Sequence, residues 1–182
     1  MVLELHRRDL LPEPVAQLQR WLRGATESGN PEPTAMTLAT TDAEGHPATR
    51  IVLLKELAPE GLVFFTNYES NKARQLDHNP WCALNFFWPE SDRQAGFRGN
   101  AARTSRAESE AYFASRPRDH QIGAWTSAQS RPVENRAALE TRQEEVESRF
   151  AQQEIPCPPH WGGFRITPIE AWFWQRRPGR LH

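Results

Sequence analysis

Of the 22 basic residues in this chain, only Lys55 and Lys72 are lysines; the other 20 are arginines. A chain that uses arginine almost everywhere marks those two places as needing a compact ammonium, unless the bias is chance. Lys55 closes the run Arg50-Ile51-Val52-Leu53-Leu54-Lys55, in which two cations flank four apolar residues. With side chains alternating along a strand, positions 50 and 55 face opposite ways, so both also suit solvated strand ends. Lys72 follows Phe65-Thr66-Asn67 and Ser70-Asn71, a strand end that feeds a helix start. Backbone N–H groups and a lysine there suit a phosphate, although simple helix capping explains the same residues. A third group is Tyr112 and Arg116, four residues apart on one helix face, with Arg118 and His120 beyond. Its plain reading is a basic helix end favoured by the macrodipole.

Other chemistries lack their residues. No phosphate-cradling P-loop, dinucleotide-binding glycine motif, zinc-protease helix or nucleophile elbow is present. The six histidines are scattered, none spaced as helical metal ligands. Cys82 and Cys157 form no C-x-x-C pair, and Cys82 reads as core. The formal charge of −1 offers no basic field for nucleic acid. No apolar run approaches the roughly 18 residues of a membrane span, and the first residues carry no signal-peptide pattern. A cytoplasmic protein is expected, and 182 residues suit a single domain over 1–182.

The elements that must carry these residues are short strands with helices between them. Pro14 opens a helix with Val15, Leu18, Trp21, Leu22 and Ala25 on one face, and Gly29 ends it. Runs 35–41 and 48–57 predict a hairpin, 62–67 another strand, and 70–80 a short helix capped by Ser70. A buried strand follows at 81–88, then a weaker one at 93–104 that holds two glycines. Ser105 and Glu108 form a capping box for a helix to about Ser115. A short helix follows Pro117, and a long one spans about 133–152. Residues 155–163 read as a loop, then 164–168 and 170–175 as separate strands. Few helices bridge consecutive strands, so the expected class is mainly β with peripheral helices, an antiparallel barrel. The turn at Arg176-Arg177-Pro178-Gly179 has only three residues after it, too few for a partner strand, which suggests a shortened end.

Taken together, five stretches resemble the pyridoxamine/pyridoxine 5′-phosphate oxidase family. They are HRRDLLPEP (6–14), PTAMTLATTDAEGHPATRIVLLK (33–55), GLVFFTNYESNKARQL (61–76), YFASRPRDHQIGAWTSAQS (112–130) and HWGGFRITPIEAWFWQRRPGRLH (160–182). The resemblance implies an FMN-binding split β-barrel that works as a homodimer with FMN at the subunit interface. By the same resemblance, FMN contacts fall on Arg50, Ile51, Val52, Leu53, Leu54, Lys55, Phe65, Thr66, Asn71, Lys72, Gln94, Gln129, Ser130 and Trp174. Substrate contacts fall on Lys55, Tyr112, Arg116, His120, Arg180 and His182, the last two closing over the reacting ring. The implied reaction is oxidation of pyridoxine or pyridoxamine 5′-phosphate to pyridoxal 5′-phosphate, with hydride passing to the flavin and oxygen as final acceptor. No protein nucleophile is then needed, in keeping with the absence of any nucleophile motif.

The chain departs from the family pattern in several places. Asn71 stands where an arginine is usual, which removes one charged donor to the FMN phosphate; such a bond is worth roughly 1.5–3 kcal/mol. His120 replaces a small hydroxyl residue. The segment from Ala95 to Arg98 differs from the usual alternating strand. Set against the family pattern, both ends are expected to be short, with an FMN-binding arginine falling beyond the last residue given. Two other functions therefore stand beside the first: an FMN-dependent oxidase of a phenazine precursor, and a non-catalytic protein binding flavin or B6 phosphate.

Overall fold

The computed structural model describes residues 5–180, with the backbone alone at Arg180. The helix α1, Pro14–Glu27, starts on a proline whose missing N–H is no loss at that position. It buries Leu18, Trp21 and Ala25, and Gly29 just beyond it takes φ +80°. The strands β1 (Ala35–Thr41) and β2 (Pro47–Leu53) form the expected hairpin, with Leu38 opposite Arg50. The second run stops at Leu53, two residues link it to the short β3 (Glu56–Ala58), and β3 pairs with β4 (Gly61–Asn67).

The helix α2, Asn71–His78, is capped as expected: the Ser70 hydroxyl accepts from the Ala73 N–H. Then come β5 (Trp81–Trp88), β6 (Arg93–Arg103) and the helix α3 (Arg106–Ala114), whose capping box joins Ser105 and Glu108. The helices α4 (Arg118–Thr126) and α5 (Arg136–Arg149) precede β7 (Trp161–Gln175). The long helix begins later than its apolar pattern suggests because Asn135 caps it, accepting from the Ala138 N–H.

Seven strands form one antiparallel, curled sheet in the order β2-β1-β5-β6-β7-β4-β3, the split-barrel class. Its concave face carries the main core, in which Leu38, Phe64, Leu84, Phe86, Phe97, Phe164 and Ile166 are fully buried beneath α1. Trp21 of α1 meets Trp88 and Phe173 edge-on at 6.3 and 5.1 Å between ring centroids. A second cluster (Phe113, Ile122, Phe150, Ile155 and Trp161) ties the later helices to the start of β7.

Two expectations about strands are corrected. Segments 164–168 and 170–175 are one continuous strand that also takes in Trp161-Gly162-Gly163. Pro168 is accommodated because the β6–β7 register shifts beside it, between Arg98 and Gly99. Nor is β6 a weak strand: it runs for 11 residues, paired on both sides. The glycine at 96 is filled rather than empty, since a Cβ there would lie 1.9–2.2 Å from ring atoms of Trp172. The indole thus occupies the space that a side chain would take. On the convex face Ile51, Thr37, Asn85, Gly96 and Trp172 follow one another in register across five strands. Ile51 is 63% and Trp172 41% exposed on that face. Among the described residues no helix is long and apolar enough to cross a membrane.

Candidate active site

A cavity of about 840 Å³ opens between the end of β2, the end of β4, the start of α2 and the α3–α4 junction. Ile51, Val52 and Leu53 supply an apolar wall; Phe65 and Trp161 supply aromatic faces. Cationic groups mark two parts of it.

Lys72 stands at the first part, in the opening turn of α2. Its ammonium donates to Gln129 Oε1 at 2.8 Å, Thr66 Oγ1 at 3.2 Å and Ser70 Oγ at 3.4 Å. All three acceptors are neutral. Burial pulls the Lys72 pKa down from 10.5 to about 8, and the nearby charge of Arg50 pushes the same way. Arg50 is held from behind by three further neutral acceptors: Thr40 Oγ1 at 2.5 Å, Gln75 Oε1 at 3.1 Å and the Leu38 carbonyl at 3.3 Å. Two cations so placed, beside a helix N-terminus and, among the described residues, with no carboxylate bridging them, have the chemistry that suits a phosphate.

Arg116 stands at the second part, in the link between α3 and α4. Its guanidinium makes no hydrogen bond among the described residues, and its Nη1 is buried without a partner. It lies instead over the Trp161 ring, 4.7 Å from the centroid, and within 5.6 Å of that of Phe113. Burial lowers its pKa, opposed by Tyr112, Cys157 and Asp119. Burial also raises the Tyr112 pKa, and the Arg116 charge opposes that. The Tyr112 ring stacks on Phe65 at 4.0 Å and 13°. Lys55 and His120 lie on the same cavity wall, exposed, as does Asp119. Among the described residues, none of Arg50, Lys55, Lys72 and Arg116 forms an ion pair with a carboxylate.

Most residues singled out in the sequence therefore line this one cavity: Ile51, Val52, Leu53, Lys55, Phe65, Thr66, Lys72, Tyr112, Arg116, His120 and Gln129. Arg50 backs it. Leu54 does not reach it; its side chain is 5% exposed within the core. Asn71 is exposed at the start of α2, where its N–H donates to Ser130 Oγ at 3.2 Å and its amide oxygen accepts from Arg74. Gln94 and Trp174 lie opposite each other on the convex face, beside Gly96 and Trp172 and outside this cavity. The side chain of Arg180, and His182 altogether, lie outside the described residues. Sequence reasoning missed Thr40 and Gln75, which hold Arg50, and Trp161, which reaches the cavity because β7 pairs it with Asn67 of β4.

The chain is similar to proteins of one family. Residues 22–150 match the family model described as pyridoxamine 5′-phosphate oxidase. A Paraburkholderia phymatum protein named pyridoxine/pyridoxamine 5′-phosphate oxidase is 50% identical over 174 residues, 96% of this chain and 82% of that protein. A Burkholderia mallei protein of the same name is 50% identical over 178 residues, covering 98% and 83% of the two chains. Among solved structures, PhzG from Burkholderia lata 383, in complex with tetrahydrophenazine-1-carboxylic acid, superposes with a TM-score of 0.93 at 28% identity. That match covers 100% of this chain and 90% of the other. A pyridoxamine 5′-phosphate oxidase-related, FMN-binding protein from Nostoc punctiforme shares the fold, with a TM-score of 0.67 at 16% identity over 98% of this chain and 89% of that one. The match to the family model and the identity over nearly the whole length agree: this chain belongs to the pyridoxamine 5′-phosphate oxidase family.

Proposed function

We propose that the protein is an FMN-dependent oxidase of pyridoxine or pyridoxamine 5′-phosphate, acting in the cytoplasm as a homodimer with oxygen as electron acceptor. The observation that carries this reading is a cavity whose two cationic parts each lack a carboxylate partner among the described residues, one suited to a cofactor phosphate and one to a substrate phosphate. FMN fits the first. Lys72 and Arg50 are preset by neutral oxygens, and the Lys72 pKa is lowered first by burial and then by the Arg50 charge, both of which a bound anion would oppose. Bound there, FMN would accept hydride from the substrate carbon being oxidised.

The chain's own work is then binding and orientation. Lys72, Arg50 and the α2 N-terminus hold the cofactor phosphate, as does Ser130 beside Asn71. Ile51 to Leu53 and Phe65 give the flat ring an apolar wall and limit water on that side. Arg116 grips the substrate phosphate through N–H groups that no acceptor among the described residues occupies; Tyr112, Lys55 and His120 complete that end. The convex sheet face, with Ile51, Phe87 and Trp172 exposed by 63, 48 and 41%, is the surface for the second subunit. Gln94 and Trp174 on that face would serve the partner's cofactor. Arg180 and His182 are assigned to the substrate ring on the family pattern alone.

A second reading has one observation in its favour, the likeness to PhzG over the whole chain. An unpaired arginine accepts a carboxylate as readily as a phosphate. The 50% identity to the named B6-phosphate oxidases favours the first reading. An anaerobic titration of the FMN-loaded protein with pyridoxine 5′-phosphate tests both. Bleaching of the flavin absorbance is expected. A flavin that stays oxidised with this compound but bleaches with a reduced phenazine carboxylic acid would replace the first reading by the second. A flavin that answers neither would leave a binding protein.

A further inference from the structure

Trp161 is the first residue of β7 and is 6% exposed. Three side chains of the cavity converge on its ring. The Arg116 guanidinium lies over it at 4.7 Å. The Tyr112 ring is parallel to it within 2° at 6.2 Å, and the Phe65 ring within 11° at 5.3 Å. The same indole therefore touches the substrate-end cation, its phenol neighbour and the wall assigned to the flavin.

Arg116 needs such a support. An arginine side chain has many rotamers, and here no hydrogen bond among the described residues selects one. A carboxylate could fix it, but would neutralise the charge and occupy the N–H groups that an anion must use. A ring face fixes the plane of the guanidinium while leaving every N–H vacant. Phe113, at 5.6 Å, is the lesser contact: it is farther away, and phenyl is a weaker cation partner than indole.

We propose that Trp161 is a positioning residue: it presents the Arg116 guanidinium, and the Tyr112 ring beside it, to the anionic group of the substrate. The proposal rests on the substrate assignment above. It is tested on FMN-loaded protein with Trp161→Leu, Trp161→Phe, Arg116→Ala and the double variant Trp161→Leu/Arg116→Ala. Trp161→Leu should raise KM for pyridoxine 5′-phosphate about 5- to 10-fold, with kcat changed less than about twofold. Trp161→Phe, which keeps a ring face, should stay within about threefold of the parent. In the Arg116→Ala background the leucine substitution should add less than about twofold, because a residue that acts through Arg116 has nothing left to orient. An unchanged KM in Trp161→Leu, or an equal increase with Arg116 absent, overturns the proposal. So does a loss of FMN affinity or thermal midpoint that accounts for the change in KM. The same proteins are titrated with inorganic phosphate by phosphorus NMR, which needs no turnover. If pyridoxine 5′-phosphate fails to react with the parent protein, the substrate assignment falls. The positioning role then stands or falls on whether Trp161→Leu weakens the phosphate binding that Arg116→Ala removes.

Discussion

The two cationic parts of the cavity achieve the same end by different means. At Lys72 the charge is held by hydrogen bonds to Gln129, Thr66 and Ser70, and Arg50 by Thr40, Gln75 and a carbonyl. At Arg116 the charge is held by ring faces and makes no hydrogen bond among the described residues. The first arrangement suits a resident group: its donors already have geometry, and the ligand only exchanges acceptors. The second suits a ligand that comes and goes, since nothing has to be displaced when it arrives. Burial lowers the pKa of both cations, so a bound anion stabilises the charged form of each.

The strongest way to break this comparison is Arg116→Ala. An unsatisfied buried donor should contribute fully to the incoming anion, at roughly 1.5–3 kcal/mol for a charge-assisted bond. We expect KM to rise about 10- to 100-fold, with FMN affinity within about twofold in a fluorescence titration. Parallel losses in both would mean that the two ends are not separate.

Lys72→Ala should act on the other end, weakening FMN about 10-fold at neutral pH while leaving KM at saturating FMN unchanged. The unaltered protein should also show a pH dependence. With the free Lys72 at about 8, the ammonium is present below that pH and lost above it. The bound phosphate raises that pKa, so affinity is full below pH 8 and falls as pH rises through it, by at most about tenfold per unit. The FMN phosphate is already a dianion there, with its second pKa near 6. A flat profile from pH 7 to 9, or one that persists in Lys72→Ala, would assign the cofactor phosphate to other residues.

The smallest effect is expected away from both ends. Gly96→Val must displace the Trp172 indole, since even a Cβ meets that ring at 1.9–2.2 Å. Overpacking of this kind costs about 1–3 kcal/mol. A lower thermal midpoint is expected and, under the proposed subunit contact, a weaker dimer on sedimentation, both relieved in part by Trp172→Ala. A dimer that is indifferent to Gly96→Val would place the subunit contact elsewhere.

Local signals in the chain were read correctly where the physics is local. Ser70 and the Ser105–Glu108 box cap α2 and α3 because a cap bonds to groups within three residues of itself. The β1–β2 hairpin was legible from its turn, whereas Arg116 lies past the end of α3, in the link to α4, so it does not share a helix face with Tyr112 as the i, i+4 spacing implies. Alternation along a strand predicts which face a residue takes but not what lies across from it. The two glycines of β6 therefore read as weakness in the sequence, whereas in the fold Trp172 fills the space over Gly96. Pro168 looked like a strand end until the register shift accommodated it. Leu54 was grouped with its neighbours by sequence, and the core claimed it.

By itself, then, the sequence determined the elements, their caps, the scarcity of lysine and the family resemblance. All of these depend on near neighbours or on residue identity. Tertiary structure alone decided that Lys72 meets Gln129, 57 residues away, and that Arg50 meets Gln75, 25 away. It also decided that Arg116 rests on Trp161 and has no hydrogen-bond acceptor among the described residues. Those pairings follow from strand register and helix docking, which are set by the packing of the whole sheet and leave no periodic trace in the chain.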